Sequence, residues 1–370
     1  MRTLFHNGHF FTGTELVNDR ALLINGDRIE GFAGPGSEPA DADRIDCGGS
    51  LVIAGLIDLQ IAGGGGYLFS SNPNPEALAV ITDSIISTGT TGFLLALPTN
   101  TEEVYHEAFM TVEGFTNPAV MGVHLEGPFI SHSRRGAHAP ELIRKPDSEN
   151  VESLLTHAGK AIKMMTVAPE ECTPDVIRQL KEHGITVAAG HSNATFMQAA
   201  AGFEMGVETV THLFNAMTPL HHRDPGLPGA AFLSSTACAS IIADGIHVDY
   251  SMVAIAKEIM KERLFLVSDA VEVNERGAYR HVRQEDRFTL PDGTLSGAKL
   301  SMLDAVRNCV NHAGIDLYEA IRMATLYPSR LIRAEDRGVI APGARADLLV
   351  LDDELRLKGI CFNGITELMK

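Results

Sequence analysis

Short runs of alternating apolar and polar residues mark the two ends of the chain. In 1–50 they are separated by turn pairs such as Asn25-Gly26, and in 337–370 the apolar run 348–351 lies between Pro342-Gly343 and the turn pair Asn363-Gly364. Alternation with a period of two indicates half-buried strands, and Asn-Gly pairs favour hairpin turns. We therefore predict a small antiparallel β unit at each end, and we expect the two units to share one sheet.

Between these ends, residues 51–336 alternate apolar, strand-like runs with amphipathic stretches such as 174–183 and 250–262, in which apolar residues recur at helical spacing. The repeated strand-plus-helix unit favours a parallel (β/α)8 barrel over a doubly wound sheet. No GxGxxG dinucleotide fingerprint is present. The apolar runs are 93–97, 120–125, 162–167, 185–189, 209–213, 239–243 and 264–267.

Composition adds constraints on size, partners and location. The chain has 370 residues, 45% hydrophobic and 21% charged, which suits one barrel of about 250 residues plus a smaller unit. Its net charge of −17 argues against binding to nucleic acid or anionic membranes, so a phosphate ligand would need local cations. Without a signal-peptide core or an apolar run of about 20 residues, the expected location is the cytoplasm. The five scattered cysteines are expected to be reduced thiols.

Polar residues follow several of the predicted strands, in the segments HLEGPF, AGHSNAT and THLFNAM. The carboxyl ends of barrel strands converge on one face, where such barrels keep their active sites. Two imidazoles and a carboxylate, from Glu126, His191 and His212, are a ligand set for a catalytic divalent ion. Each residue alone would be an ordinary polar side chain at a loop edge, but their joint placement predicts a metal site.

Five further polar residues are candidates for the same site. Asp269 ends the apolar strand in LFLVSDA and could serve as a general base and then acid, or only as a helix N-cap. His124 points to the same face as Glu126 but one strand repeat deeper, so we expect it to lie beneath the metal. From position alone His138 is expected to be a solvated loop residue, although it could polarise a substrate carbonyl. Arg223 and His247 are also expected to be solvated, although they could supply the cations that a phosphate needs.

The strand ending in GLIDLQIAGGGG departs from a common pattern. In many metal-dependent hydrolases this strand closes on His-x-His, whereas here it reads Gln60-Ile61-Ala62. Neither side chain is a good metal ligand, so a second, deeper metal is not expected. The glycines that follow, 63–66, allow a loop that passes close to a substrate.

These motifs together resemble the N-acetylglucosamine-6-phosphate deacetylases of the amidohydrolase superfamily. The segments HLEGPF, AGHSNAT, THLFNAM, ADGIHVD, LVSDA, GTLSGAKLSM and MATLYPSR occur in that order, and the resemblance covers nearly the whole chain. It implies a TIM-like (β/α)8 barrel, an α/β fold, with a small β-sandwich formed from both termini. The expected domains are 1–50 and 337–370 for the sandwich and 51–336 for the catalytic barrel.

The resemblance also implies roles for individual residues. Glu126, His191 and His212 would hold one divalent ion per subunit, with zinc expected and iron, cobalt or manganese also suited to this ligand set. Asp269 would be the catalytic acid and base, and His138 would polarise the carbonyl of the acetamide. The substrate contacts implied are Ala137, His138, Asn215, Ala216, Arg223, His247 and Leu295.

The implied reaction converts N-acetylglucosamine 6-phosphate into glucosamine 6-phosphate and acetate, in amino-sugar metabolism. The implied assembly is a homodimer in which Arg223 and His247 reach the phosphate in the neighbouring subunit's site. Three alternatives stay open. They are a deacetylase for another N-acetylhexosamine phosphate such as the galactosamine epimer, a metal-free barrel without enzymatic activity, and a two-metal amidohydrolase.

Overall fold

The terminal strands form two packed sheets in a computed structural model that describes residues 2–34, 36–275 and 277–369. Met1, Pro35 and Lys370, which belong to the predicted terminal units, lie outside the described residues. The first strands are β1 (Arg2–His6), β2 (His9–Phe11), β3 (Leu16–Val17), β4 (Ala21–Asn25), β5 (Arg28–Ala33), β6 (Asp43–Asp46) and β7 (Leu51–Ala54).

The central strands follow in chain order. They are β8 (Leu56–Ile61), β9 (Gly63–Gly64), β10 (Tyr67–Leu68), β11 (Thr90–Pro98), β12 (Val120–Glu126), β13 (Ile162–Val167), β14 (Thr186–Ala189), β15 (Thr209–Val210), β16 (Cys238–Ile241), β17 (Leu264–Leu266), β18 (Val282–Arg283) and β19 (Phe288–Thr289). The chain ends with β20 (Leu348–Leu351), β21 (Leu357–Phe362) and β22 (Ile365–Leu368).

The helices alternate with the central strands and continue beyond them. They are α1 (Pro75–Ser87), α2 (Glu102–Gly114), α3 (Ser148–Ala158), α4 (Pro174–Glu182), α5 (Phe196–Met205), α6 (Gly226–Leu233), α7 (Tyr250–Met260), α8 (Met302–Asn311), α9 (Leu317–Ala324) and α10 (Leu326–Leu331). Several begin at side-chain caps that satisfy free backbone N–H groups, as Thr195 and Gln198 do reciprocally at α5. No helix of the described residues is long and apolar enough to cross a membrane.

Within the described residues, eight parallel strands form one sheet in the order β17-β16-β15-β14-β13-β12-β11-β8. Beyond the last strand pair, Ile61 bridges Ala270 in parallel, and the Asp269 N–H donates to the Gln60 carbonyl oxygen at 2.9 Å. These contacts bring the first strand beside the last. The (β/α)8 architecture was therefore predicted correctly.

The terminal sheets join the two ends of the chain. One has the order β22-β21-β20-β7-β2-β3 and the other β5-β4-β1-β6, and β20 pairs antiparallel with β7. Their inner faces share a buried apolar cluster that includes Phe10, Val52, Ile340 and Leu348. The predicted sheet shared by both ends is thus present. We retain 1–50, 51–336 and 337–370 as proposed domain limits, with β7 at the start of the second segment contributing its strand to the terminal sheet.

Candidate active site

Five strands carry the polar side chains that converge at the carboxyl end of the barrel. Glu126 is the last residue of β12, and His191 and His212 lie two residues beyond the ends of β14 and β15. Asp269 lies just beyond β17, and Gln60 is near the end of β8. Because parallel strands in a barrel end on the same face, residues far apart in sequence meet there.

Glu126, His191 and His212 form a compact, buried group. The Glu126 Oε1 atom lies 3.0 Å from His191 Nε2 and 2.9 Å from His212 Nε2, and the two Nε2 atoms are 3.1 Å apart. Exposed fractions are 7%, 5% and 4%, respectively. Three ligand atoms of the kinds that divalent ions prefer therefore converge on one point, so these residues fit a metal.

The tautomer of His191 supports the same conclusion. Its Nδ1 lies 3.1 Å from the Arg134 carbonyl oxygen, which can only accept a hydrogen bond. Nδ1 must then carry the proton, which in a neutral ring leaves the Nε2 lone pair directed at the triad. A backbone carbonyl behind a ligating histidine commonly fixes the ring in this way.

Three of these site residues have backbone conformations that side chains rarely adopt. The φ angles of His191, His212 and Asp269 are 48°, 33° and 51°, respectively. Positive φ is uncommon for residues other than glycine and persists where the surroundings impose it. The turns after β14, β15 and β17 thus aim each side chain into the barrel mouth instead of continuing the strand.

Gln60 makes contacts that its sequence position did not reveal. Its Nε2 donates to Glu126 Oε1 at 3.2 Å and to Asp269 Oδ1 at 2.9 Å, while its Oε1 is buried without a hydrogen-bond partner in the described structure. The amide therefore sits between two carboxylates, as a neutral donor at the place where His-x-His enzymes carry ligands.

Asp269 faces the same cavity as the triad. Burial, together with the nearby charge of Glu126, raises the pKa of its carboxyl above the ordinary range. The helix-cap alternative is wrong, because the next helix of the described chain, α8, begins only at Met302 and is capped by Ser301. Its carboxyl group thus has no capping role and lines the cavity, with Oδ1 accepting a hydrogen bond from the Gln60 amide.

His138 is a buried donor and not a solvated loop residue. It is 4% exposed, and its Nδ1 receives the Thr99 N–H at 3.3 Å. Because that N–H can only donate, Nδ1 is its acceptor, and the Thr99 hydroxyl oxygen lies 2.8 Å from the same nitrogen. Burial lowers the pKa of His138 to about 3, so the ring is neutral. Its Nε2–H therefore points away from Thr99, with Nε2 at 4.0 Å from Glu126 Oε2.

His124 lies beneath the triad, as its strand position suggested. Its Nδ1 is 2.9 Å from the Leu59 carbonyl oxygen and its Nε2 is 2.7 Å from Thr166 Oγ1. Both ring nitrogens are occupied, and burial lowers the pKa of His124 to about 4. This histidine supports the strands and does not join the metal group.

Comparison with known proteins now identifies the family. Residues 51–368 match the amidohydrolase family. The chain belongs to that family. It is 33% identical to the N-acetylglucosamine-6-phosphate deacetylase of Haemophilus influenzae over 378 residues, covering 98% of this chain and 99% of that protein. It is also 33% identical to the N-acetylgalactosamine-6-phosphate deacetylase of Shewanella sp. strain ANA-3, covering 88% and 85%.

A solved structure supports the same relationship. The N-acetylglucosamine-6-phosphate deacetylase of Pasteurella multocida matches with a TM-score of 0.95 at 30% identity, covering 100% of both chains. Membership of the amidohydrolase family implies a divalent metal ion. Within the described residues, Glu126, His191 and His212 are the group of side chains able to hold it.

The amidohydrolase cavity above the triad has a volume of about 270 Å³. It is lined by six of the seven substrate contacts that the resemblance implied, Ala137, His138, Asn215, Ala216, His247 and Leu295. His247 is oriented by Asp244, whose Oδ2 lies 2.6 Å from its Nδ1. Arg223 is the exception, because it is exposed and its Nε donates to His222 at 3.0 Å.

One wall of this cavity was not predicted from the sequence, apart from Leu295. We call residues 277–300 the flap. It contributes Tyr279, His281 and Ser296 to the cavity lining, and all three are less than 7% exposed. The flap has only the two-residue strands β18 and β19, so no hydrophobic period marks it. The only signal in the sequence was the presence of a tyrosine and a histidine, Tyr279 and His281, in an otherwise polar segment.

Proposed function

We propose that this protein removes the acetyl group from N-acetylglucosamine 6-phosphate and releases glucosamine 6-phosphate and acetate. The observation that carries the proposal is the meeting of a His₂Glu metal group, Asp269 and the His138 donor in one cavity of suitable size. Full-length relatives named for this activity support the choice of substrate.

The proposed reaction needs one water and one shared proton. Glu126, His191 and His212 would hold a divalent ion, which when bound would lower the pKa of a water and polarise a carbonyl. Asp269 accepts the proton of that water as the C–O bond forms, and the His138 Nε2–H donates to the oxygen that gains negative charge. Asp269 then gives the proton to the amine nitrogen as the C–N bond breaks. Gln60 holds the Asp269 carboxylate in place throughout.

We further propose a single zinc ion per subunit. The amide of Gln60 already bridges Glu126 and Asp269, and Ala62 offers no ligand atom, which weighs against the two-metal alternative. Elemental analysis of protein purified without chelators should give about one metal per chain. A ratio near two would overturn this part of the proposal.

The proposed assembly is a homodimer that binds phosphate across the interface. His247 would contribute to this anion site, and Arg223, which lies outside the cavity of its own chain, would reach the site of the neighbouring subunit. Two results would support this assembly. Light scattering should give the mass of two chains, and Arg223→Ala should raise KM for the phosphorylated substrate but not for an unphosphorylated one. The cytoplasm stays the predicted location.

The test of the main proposal is acetate release from N-acetylglucosamine 6-phosphate and from its galactosamine epimer, before and after chelation. We expect turnover of the gluco sugar that stops on metal removal and returns with Zn²⁺. Relatives of both names are about equally similar, so a higher kcat/KM for the galacto sugar would transfer the proposal to that epimer. No acetate from either sugar after Zn²⁺ addition would overturn it.

A further inference from the structure

The flap carries a buried imidazole that the proposed reaction does not use. His281 lines the same cavity as the metal triad, and only 6% of its surface is exposed. Its Nδ1 lies 3.1 Å from Ser296 Oγ, in the segment of the flap that follows β19. Its Nε2 has no hydrogen-bond partner among the residues that the structure describes.

A half-satisfied imidazole in this position needs an explanation. Because His281 lines the cavity, its second ring nitrogen is available to a molecule bound there, and polar groups inside proteins usually find a hydrogen-bond partner in the protein, in water or in a ligand. Burial lowers the pKa of His281 to about 4, and the ring is therefore neutral at physiological pH. A neutral ring nitrogen is suited to a hydroxyl and offers no charge to a phosphate.

The position of His281 in the cavity indicates which part of the substrate it would contact. Its ring centroid is 6.5 Å from that of Tyr279, which is in turn 6.2 Å from that of His138. His281 is thus separated by one aromatic ring from the end that handles the acetamide. The proposed function assigns the phosphate to His247 and to Arg223 of the neighbouring subunit. What remains of a hexosamine phosphate is the sugar ring with its hydroxyls.

We propose that His281 is a substrate-binding residue whose Nε2 hydrogen-bonds a hydroxyl of the hexosamine ring, with Ser296 holding the imidazole in place. The inference rests on the proposed deacetylase function. Since gluco and galacto substrates differ only in the orientation of one hydroxyl, a contact of this kind would contribute to the choice between hexosamines.

Two matched substitutions separate binding from structure. In His281→Asn the amide can occupy the position of Nδ1, which keeps a partner for Ser296 but removes the group at Nε2. In His281→Gln the longer amide reaches the position of Nε2. We expect kcat/KM for N-acetylglucosamine 6-phosphate to fall about tenfold in the Asn variant, mainly through KM, and by less than about threefold in the Gln variant.

Substrate analogues identify the hydroxyl. Three analogues, each lacking the hydroxyl at C1, C3 or C4, are assayed with wild type and His281→Asn. For the analogue without the partner hydroxyl, the two proteins should have nearly equal kcat/KM, whereas the other two analogues should retain the tenfold difference. Melting temperatures of both variants, compared with wild type, show that the fold is intact.

Other outcomes overturn the proposal in distinguishable ways. If His281 only supports Ser296, the Gln variant will be more impaired than the Asn variant, and the loss will be the same for every analogue. Equal kcat/KM for all three proteins also contradicts a substrate contact. Wild type that releases no acetate from any sugar phosphate refutes the proposed function itself, and the inference with it.

Discussion

The two walls of the active-site cavity are built in different ways. The barrel rim supplies Glu126, His191, His212 and Asp269 from the ends of strands inside the main apolar core. The flap supplies Tyr279, His281 and Ser296 from a segment with only two-residue strands. The metal group and Asp269 thus lie on the wall built from strand ends, whereas His281, the proposed contact to a sugar hydroxyl, lies on the flap.

This division has a physical basis. Proton transfer and metal binding need atoms placed within fractions of an ångström, which strand ends in a packed barrel can hold even at positive φ. Contact with a sugar hydroxyl tolerates more variation. Loops carried by a rigid scaffold can change without disturbing the chemistry, and this is where substrate preference is expected to differ among related barrels.

The largest effect should come from breaking the rim at its metal site. Glu126→Gln keeps the size of the side chain but removes the charge that faces both histidines. We expect metal content per chain to fall sharply and acetate release to drop to the level of chelated wild type. Elemental analysis and an acetate assay measure both. Full metal content in this variant would contradict Glu126 as a ligand.

The next largest effect is expected at Asp269, on the same wall. Asp269→Asn removes the proton acceptor but keeps the shape of the side chain, so kcat should fall by about 10²- to 10⁴-fold. Metal content should stay at the wild-type level, which separates this variant from Glu126→Gln. Parallel measurement of kcat and metal per chain tests the point, and turnover close to wild type would remove Asp269 from the mechanism.

The same division explains what the sequence could predict. The apolar run 162–167 coincides with β13, and the polar residues after such runs were correctly expected to converge, because the carboxyl ends of parallel strands meet. The run 209–213 was predicted less well. Strand β15 stops at Val210, since the chain turns into positive φ at His212, and hydrophobic pattern carries no information on such a turn.

Contacts across the cavity could not be predicted. The Tyr279 hydroxyl donates to the carbonyl oxygen of Thr99, which lies 180 positions earlier in the sequence. The local hydrophobic pattern contains no information about contacts between such distant positions. Gln60 was interpreted only as a missing ligand, because the sequence does not show that two carboxylates flank its amide. His138 was assigned from resemblance alone, and its tautomer depends on Thr99, a residue that no motif singled out.

A smaller effect is expected at Thr99, where the rim supports His138. Thr99→Val keeps the volume but removes the hydroxyl that contacts Nδ1, so that only the backbone N–H of residue 99 still fixes the tautomer of His138. We expect kcat to fall about tenfold with little change in KM. Thr99→Ser retains a hydroxyl and should recover most of the activity. Equal losses in both variants would indicate a packing defect and would exclude positioning of His138.

The smallest effect should come from loosening the flap without altering the rim. Tyr279→Phe removes the hydroxyl that ties the flap to the Thr99 carbonyl oxygen but keeps the aromatic ring between His138 and His281. One hydrogen bond between neutral groups contributes about 1 kcal/mol, so KM should rise roughly fivefold. Since His138 keeps both of its Thr99 contacts, kcat should stay within about twofold of wild type.

Steady-state kinetics at fixed metal content distinguishes these parameters. A fall in kcat instead of a rise in KM would mean that the flap helps to place the catalytic groups, and the separation between a chemical wall and a binding wall would then fail.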